Sequence, residues 1–277
     1  MKFEGSFKNK DAQNLIYRAF IPGNPKAAVV LVHGMGEHSL KYDHMAGMFY
    51  DKGLAFFLYD QRGHGRSDGK KVYVNRYADL LDDLRQFTDI AKAESLRENV
   101  YLLGTSMGGL TSLLFAIEYG ESIDGVIASA PALRFVNPPS GIEVSLAPLL
   151  AFLFPALTTS NRVPFEYLTH DAAAIEAQKA DKLSLRIVSF KMFVEMTKTM
   201  RYVFDNASRI KVPALLLHGT GDRVVDAKAT KEFLDKMGSA DKEVRLYDGL
   251  YHELLNETNR REIIEGIIDW ISKRAGK

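Results

Sequence analysis

The sequence predicts an α/β fold, a mostly parallel central sheet flanked by helices, with a helical segment inserted late in the chain. Short continuous apolar runs, Ala27–Val32, Leu54–Tyr59, Val100–Leu103 and Gly125–Ala130, recur with helical stretches between them, as strands buried on both faces of a parallel sheet should. These runs end in glycine- or proline-marked loops, and open parallel sheets place ligands beyond the carboxyl ends of their strands. The alternation lapses from Ala132 to Asn206 and then resumes, which divides the chain into core residues 1–131, an insertion at 132–206 and core residues 207–277.

In chain order, Phe3 to Phe7 and Leu15 to Phe20 read as two short strands around the polar turn Asn9-Lys10-Asp11, an edge hairpin. Ala27–Val32 closes in His33-Gly34-Met35-Gly36-Glu37-His38. Leu54–Tyr59 closes in Asp60-Gln61-Arg62-Gly63-His64-Gly65-Arg66-Ser67. Tyr77, Leu81 and Leu84, with Leu80 and Phe87, put an apolar stripe on a helix whose Asp79, Asp82 and Asp83 read as its solvated side. Val100–Leu103 runs into Gly104-Thr105-Ser106-Met107-Gly108, a G-x-S-x-G signature, and Leu110, Leu113, Leu114 and Ile117 then repeat at helical spacing. A serine wedged between strand and helix must turn sharply, and the flanking glycines let the backbone pass.

Gly125–Ala130 is the next strand, and Pro131 stops it. From Ala132 to Asn206 the chain shows no strand pattern, but prolines at 138, 139, 148, 155 and 164 and a helical stripe of Leu183, Ile187, Phe190 and Val194. Ala214–His218, a helix from Asp226 to Met237, a strand from Glu243 to Tyr247 and a last helix with Ile263, Ile264, Ile267 and Ile271 on one face complete the core.

The 277 residues are 46% hydrophobic and 26% charged, which suits a soluble globular chain with one sizeable core. With 36 Lys and Arg against 35 Asp and Glu the net charge is +1, and no basic cluster is interleaved with aromatics, so nucleic acid is not an expected partner. Zero cysteines exclude disulfides, thiolate nucleophiles and cysteine-bound metals, and fit a reducing compartment. Met1 to Gly5 lacks the apolar core of a signal peptide, and no apolar run reaches the ~18 residues that span a bilayer. The expectation is a cytoplasmic protein.

A serine hydroxyl is a weak nucleophile at neutral pH, so a histidine must take its proton and a carboxylate must orient that histidine. For this kind of elbow the chain order is serine, carboxylate, histidine. After the insertion stand His218, which closes a strand, and His252, in the loop Tyr247-Asp248-Gly249-Leu250-Tyr251-His252-Glu253 before the last helix. His252 is the expected base. Among carboxylates, Asp226 sits where a helix N-cap belongs and Asp248 is a turn residue, whereas Asp222 lies in the glycine turn just past a strand end. Asp222 is the expected orienting group. The oxyanion of an acyl-transfer intermediate needs backbone N–H donors, and Met107 and Met35 occupy the residue after the nucleophile and the loop after an early strand. No metal or organic cofactor is called for.

Taken together, Gly104-Thr105-Ser106-Met107-Gly108-Gly109, His33-Gly34-Met35-Gly36-Glu37-His38-Ser39, Asp60 to Ser67 and Tyr251-His252-Glu253 resemble the monoacylglycerol lipase and lysophospholipase group of α/β-hydrolases. The resemblance spans nearly the whole core and is weak over the insertion. It implies the α/β-hydrolase fold, the triad Ser106, Asp222 and His252, the Met35 and Met107 amides as oxyanion hole, and a cap, or lid, built from the insertion. It also implies Glu37 and Lys41 at the polar, glycerol end of the pocket. Members often carry a second histidine three residues after the catalytic one, where Leu255 stands here.

Val144 to Leu157, with Leu146, Leu149, Leu150, Phe152, Leu153 and Phe154, is the most apolar part of the insertion, interrupted by Pro148 and Pro155 before Ser160-Asn161-Arg162 returns to polar surface. Two readings stand: a segment packed onto the core, or a lid whose apolar side lines an acyl tunnel or makes transient contact with lipid or a membrane surface. Leu150, Phe154 and Ile187 are the expected substrate contacts, and Met192, Met196 and Met200 recur at a spacing that suits core filling. The expected activity is hydrolysis of a small-molecule acyl ester, a monoacylglycerol first, with a lysophospholipid, a shorter ester, an aminoacyl substrate or a carbon–carbon bond as alternatives on the same fold. A binding protein on a hydrolase scaffold is the competitor from another class. No particular oligomeric state is expected.

Overall fold

Two antiparallel strands open the chain, β1 (Lys2–Lys8) and β2 (Asn14–Phe20), in register from Lys2 opposite Phe20 to Lys8 opposite Asn14. The structure, a computed structural model, describes residues 1–138, 140–161 and 163–275, with the backbone alone for 142–144. Pro139 and Arg162 of the sequence reading lie outside the described residues. There follow β3 (Ala27–Val32), α1 (Asp43–Asp51), β4 (Leu54–Tyr59), α2 (Ala78–Ser95), β5 (Val100–Thr105), α3 (Met107–Glu118) and β6 (Gly125–Ser129). The second half contains α4 (Gly141–Leu153), β7 (Thr158–Ser160), α5 (Ala172–Ala180), β8 (Ile187–Ser189), α6 (Phe190–Asp205), β9 (Ala214–Gly219), α7 (Ala227–Lys236), β10 (Lys242–Tyr247) and α8 (Arg260–Ser272).

The main sheet has eight strands in the order β1-β2-β4-β3-β5-β6-β9-β10. β1 and β2 pair antiparallel and β2 meets β4 antiparallel; every later neighbour is parallel. The strands β3, β4, β5, β6 and β9 are buried along their whole length, which is why they read as unbroken apolar runs. Alternate residues feed two cores. Val30, Val32, Leu102, Val126 and Leu216 pack with α2, α3, α6 and α7, while Val29, Leu31, Leu103, Ile127 and Leu215 pack with α1 and α8. β5 therefore runs through the middle of the sheet, and whatever follows Thr105 is held from both faces.

The insertion departs from expectation in its secondary structure. β7 and β8, three residues each, pair antiparallel from Thr158 opposite Ser189 to Ser160 opposite Ile187. Three-residue strands are too short to show a period of two, so a pattern search passes over them. The stripe Leu183, Ile187, Phe190, Val194 crosses a strand-to-helix boundary: α6 begins at Phe190, where the Ser189 hydroxyl caps it by accepting the Met192 N–H. Helix α4 also runs through Pro148, which lies on its exposed side. Ala147 and Ala151 on its other side pack on Val194 of α6, and this burial holds the helix together across the proline.

Two of the three α2 carboxylates expected on a solvated side, Asp79 and Asp83, are buried, while Asp82 is partly exposed. Asp83 is buried and takes both Nε and Nη2 of Arg62 (2.5 and 2.7 Å), and Asp79 is buried with Lys10 Nζ at 2.8 Å. Helical periodicity cannot show that cations arrive from the 60–67 loop and the β1–β2 turn. Their pairing fastens that loop beside the end of β4.

Candidate active site

Ser106 stands at the turn between β5 and α3 with φ 51° and ψ −116°, a conformation L-residues avoid, worth roughly 1–3 kcal/mol of strain. The surroundings hold it there. Ser106 N–H donates to the Ser129 carbonyl, and its own carbonyl accepts from Leu110 and Ala132 N–H. A Cβ on Gly108 would lie 2.0 Å from the Val32 carbonyl oxygen, so only glycine lets α3 start this close to β3. The result is a hydroxyl presented above the C-terminal edge of the sheet.

His252 reaches that hydroxyl from the loop between β10 and α8. Its Nε2 is 2.9 Å from Ser106 Oγ, and its Nδ1 is 2.7 Å from Asp222 Oδ2. Asp222 follows β9, and its other oxygen accepts the N–H groups of Val224 (2.7 Å) and Val225 (3.0 Å). His218, at the end of β9, adds a second donor: its Nε2 lies 3.0 Å from Asp222 Oδ2 while its Nδ1 faces the Thr230 hydroxyl at 2.7 Å. Asp226, the alternative carboxylate, caps α7 through the Lys228 N–H, and Asp248 accepts from the Thr220 hydroxyl. Both are occupied away from the histidine.

The electrostatics follow from these contacts. Burial would raise the Asp222 carboxyl, but the charge of His252 and the hydrogen bonds from both histidines hold it well below the usual carboxylate range. Burial would lower His252, yet the Asp222 charge and hydrogen bond, with Glu253 and Glu37 behind them, raise it above its ordinary value. A row of this kind can take a proton from serine and hold it on the imidazole.

Met35, Ser106 and Met107 are among the residues that line a cavity of about 620 Å³. Ala132, Phe135, Leu146, Leu150, Phe190, Phe193, Met196 and Val225 supply much of its apolar wall, and Arg223 stands at its lining as a cation. Leu150 thus lies where expected. Phe154 does not: it follows the last residue of α4, is 56% exposed and is absent from the cavity wall. Ile187 is also absent: it packs against the main core, while its neighbours Val188 and Ser189 line the cavity. Met192 and Met200 are core residues, and Met196 both packs in the core and lines the cavity.

A second, small cavity of about 20 Å³ is lined by Ser106 and His252 together with Glu37, Tyr42, Thr105, Glu253, Leu254, Leu255 and Asn256 among others. Glu37 is therefore beside the site, but its carboxylate is engaged by Gly34, Lys41 and Tyr42. Lys41 lines neither cavity. Its ammonium is held between Glu37 and Glu253 at 2.6 Å from each.

The profile of the family described as serine aminopeptidase, S33 matches residues 23–259. The chain belongs to this family of α/β-hydrolases. Mouse monoglyceride lipase is 30% identical over 272 residues, 96% of this chain and 89% of its own length. The crystal structure of Paleococcus ferrophilus monoacylglycerol lipase superposes with a TM-score of 0.87 at 29% identity, covering 94% of this chain and 99% of that one. An abhydrolase domain-containing protein of Dictyostelium discoideum is 30% identical over 95% of this chain, which spans 28% of its length. The protein is a hydrolase, monoglyceride lipase-like in sequence and in fold.

Several residues of this α/β-hydrolase that touch the site carry little signal in the sequence. His218 reads as a strand-end residue; its place four positions before Asp222, across a glycine turn, is the one clue to its contact. Glu253 belongs to the Tyr251-His252-Glu253 motif without a role read for it, and Tyr42 stands outside the motifs. Arg223 lies over the rings of Tyr167 and Tyr251, so it links the inserted segment to the His252 loop. Glu257, fully buried, accepts from the Tyr251 and His170 N–H groups and fastens the same two segments.

Proposed function

We propose that this hydrolase cleaves lipophilic carboxylic monoesters, monoacylglycerols first among them, through an acyl-enzyme on Ser106. The observation that carries the reading is the hydrogen-bonded row Ser106–His252–Asp222, whose serine lines the 620 Å³ mostly apolar cavity. In this mechanism His252 Nε2 takes the Ser106 proton as Oγ attacks the ester carbonyl, and Asp222 stabilises the imidazolium. The Met35 and Met107 N–H groups receive the oxyanion. His252 returns the proton to the departing alcohol, and water, deprotonated by the same nitrogen, releases the fatty acid and frees Ser106. Residues 132–206 act as the cap, placing the acyl chain against Leu150, Phe193 and Met196.

The mouse and Paleococcus relatives bear the names monoglyceride lipase and monoacylglycerol lipase, which supports an ester with one acyl chain. The family's description as serine aminopeptidase raises a peptide alternative. An N-terminal ammonium would need an anion beside the substrate, whereas the charged residue of the described cavity wall is the cation Arg223. Among the described residues no helix is long and apolar enough to cross a membrane. The exposed Leu149, Phe152, Leu153, Phe154 and Leu157 instead support a transient contact of the cap with a lipid surface.

A panel of mono-, di- and triacylglycerols, lysophospholipids and aminoacyl amides tests the reading. It expects the highest kcat/KM on monoacylglycerols with medium or long chains. Faster turnover of an aminoacyl amide, or of a lysophospholipid, would replace the proposed substrate.

A further inference from the structure

Glu37 has more partners than a substrate contact would leave room for. Its Oε2 accepts the Gly34 N–H and the Tyr42 hydroxyl, each at 2.7 Å, and its Oε1 accepts Lys41 Nζ at 2.6 Å. Each of these partners belongs to a different part of the site. Gly34 precedes Met35 in the loop after β3. Tyr42 Oη lies 3.0 Å from Thr105 Oγ1, on the residue before Ser106. Lys41 Nζ donates also to Glu253 Oε1 (2.6 Å), on the residue after His252. Glu253 Oε2 in turn accepts from Gln178 of α5 at 2.7 Å and Asn256 at 3.2 Å. The network is almost closed to solvent, with Glu37, Lys41 and Glu253 side chains 14, 10 and 8% exposed and Tyr42 fully buried.

We propose that Glu37 is a positioning residue whose carboxylate locks the oxyanion loop, the nucleophile strand, the histidine loop and cap helix α5 into one working geometry. The proposal rests on the reading of Ser106 and His252 as nucleophile and base. The chemistry requires an ionised carboxylate. Glu37 meets three donors and no acceptor, and only a carboxylate offers two oxygens without a hydrogen of its own. An amide of the same shape would turn its NH2 either toward Gly34 N–H and Tyr42 or toward Lys41, and in both cases donor would face donor. The geometry is tight as well: a Cβ on Gly34 would lie 2.8 Å from Glu37 Oε2 and 3.3 Å from Ser106 Cβ. A shift of the carboxylate therefore reaches the peptide that carries the Met35 N–H.

The network also biases His252 electrostatically. The groups facing its ring are Asp222 from the β9 loop, Ser106 from the elbow, Glu253 from its own loop and Glu37 from the β3 loop, with Lys41 between the last two. Removing the Glu37 charge leaves Lys41 less compensated and lowers the affinity of the imidazole for its proton.

The test is p-nitrophenyl ester hydrolysis by Glu37→Gln, Tyr42→Phe and the double variant across pH, with fluorophosphonate labelling of the wild-type Ser106 in parallel. Glu37→Gln is expected to lower kcat by roughly 10- to 100-fold with little change in KM, the effect of displacing a reacting group by about an ångström. The acid limb of its kcat/KM profile should move to lower pH, which a loss of packing alone would not produce. Tyr42→Phe should lower kcat less, and the double variant should be no slower than Glu37→Gln. A Glu37→Gln enzyme with wild-type kcat and an unmoved acid limb, on a protein that labels at Ser106, overturns the proposal while leaving the function intact. Tyr42→Phe keeps the Glu37–Lys41 pair, so it decides the matter if Glu37→Gln fails to fold: wild-type kcat there overturns the proposal. A wild-type protein that neither labels nor turns over ester overturns the underlying reading, and this proposal with it.

Discussion

Replacing Asp222 by asparagine changes one atom and should remove most of the activity. The Asp222 oxygens are fully used: Oδ1 accepts two backbone N–H groups, from Val224 and Val225, and Oδ2 accepts from His252 and His218. If the asparagine keeps its oxygen toward Val224 and Val225, its NH2 faces Nδ1 of His252. That histidine then becomes an acceptor at Nδ1 and carries its hydrogen on Nε2, the nitrogen that must take the Ser106 proton. If the amide flips, its NH2 opposes two backbone N–H groups instead, and a buried clash of that kind costs about 1–3 kcal/mol. The wrong tautomer in a serine triad lowers kcat by about 10⁴, roughly 5 kcal/mol of transition-state stabilisation. Steady-state hydrolysis of a p-nitrophenyl ester, with circular dichroism to verify the fold, measures it. Asp222→Asn activity within about tenfold of wild type would refute the reasoning, because among the described residues Asp222 is the carboxylate hydrogen-bonded to His252 Nδ1.

Two further outcomes follow from the same geometry. His252 must be neutral to act as a base, and Asp222 with Glu253 and Glu37 raise it above 6.5, so kcat/KM should climb with pH and reach half its plateau above that value; an acid limb below it would contradict the electrostatics. Leu150→Trp fills part of the cavity wall and should cut turnover of long-chain p-nitrophenyl esters by roughly tenfold or more while sparing the acetate, whereas Phe154→Ser should leave that chain-length ratio unchanged.

The reach of the sequence can be judged element by element. The buried strands were readable because burial on both faces leaves an unbroken apolar run, and the G-x-S-x-G turn between β5 and α3 was readable because its glycines answer to close backbone approach. Chain order and loops beyond strand ends point to Asp222 and His252, and the fold brings His252 to Ser106 and Asp222 to His252. Helix α1 is not legible in the sequence: its stripe of Met45, Ala46 and Phe49 is short and lies between two glycine-bearing loops. Nor are β7 and β8, whose pairing is set by tertiary contact rather than by local pattern. Buried ion pairs escape a reading of the sequence for a related reason. Asp83 looks solvated on a helical wheel until Arg62 is folded against it, and Lys41 looks like a substrate contact until Glu37 and Glu253 are seen to hold it. Periodicity tells which way a side chain points on its own element, and says nothing about what another element brings to it.

The central claim, that Ser106 is a nucleophile activated by His252, is tested most directly by intact-mass and peptide mapping after treatment with a fluorophosphonate. The account predicts one adduct per wild-type chain, located on the peptide that carries Ser106, and none on Ser106→Ala with its fold preserved. An unlabelled wild-type protein, or an adduct that persists in Ser106→Ala, would contradict it.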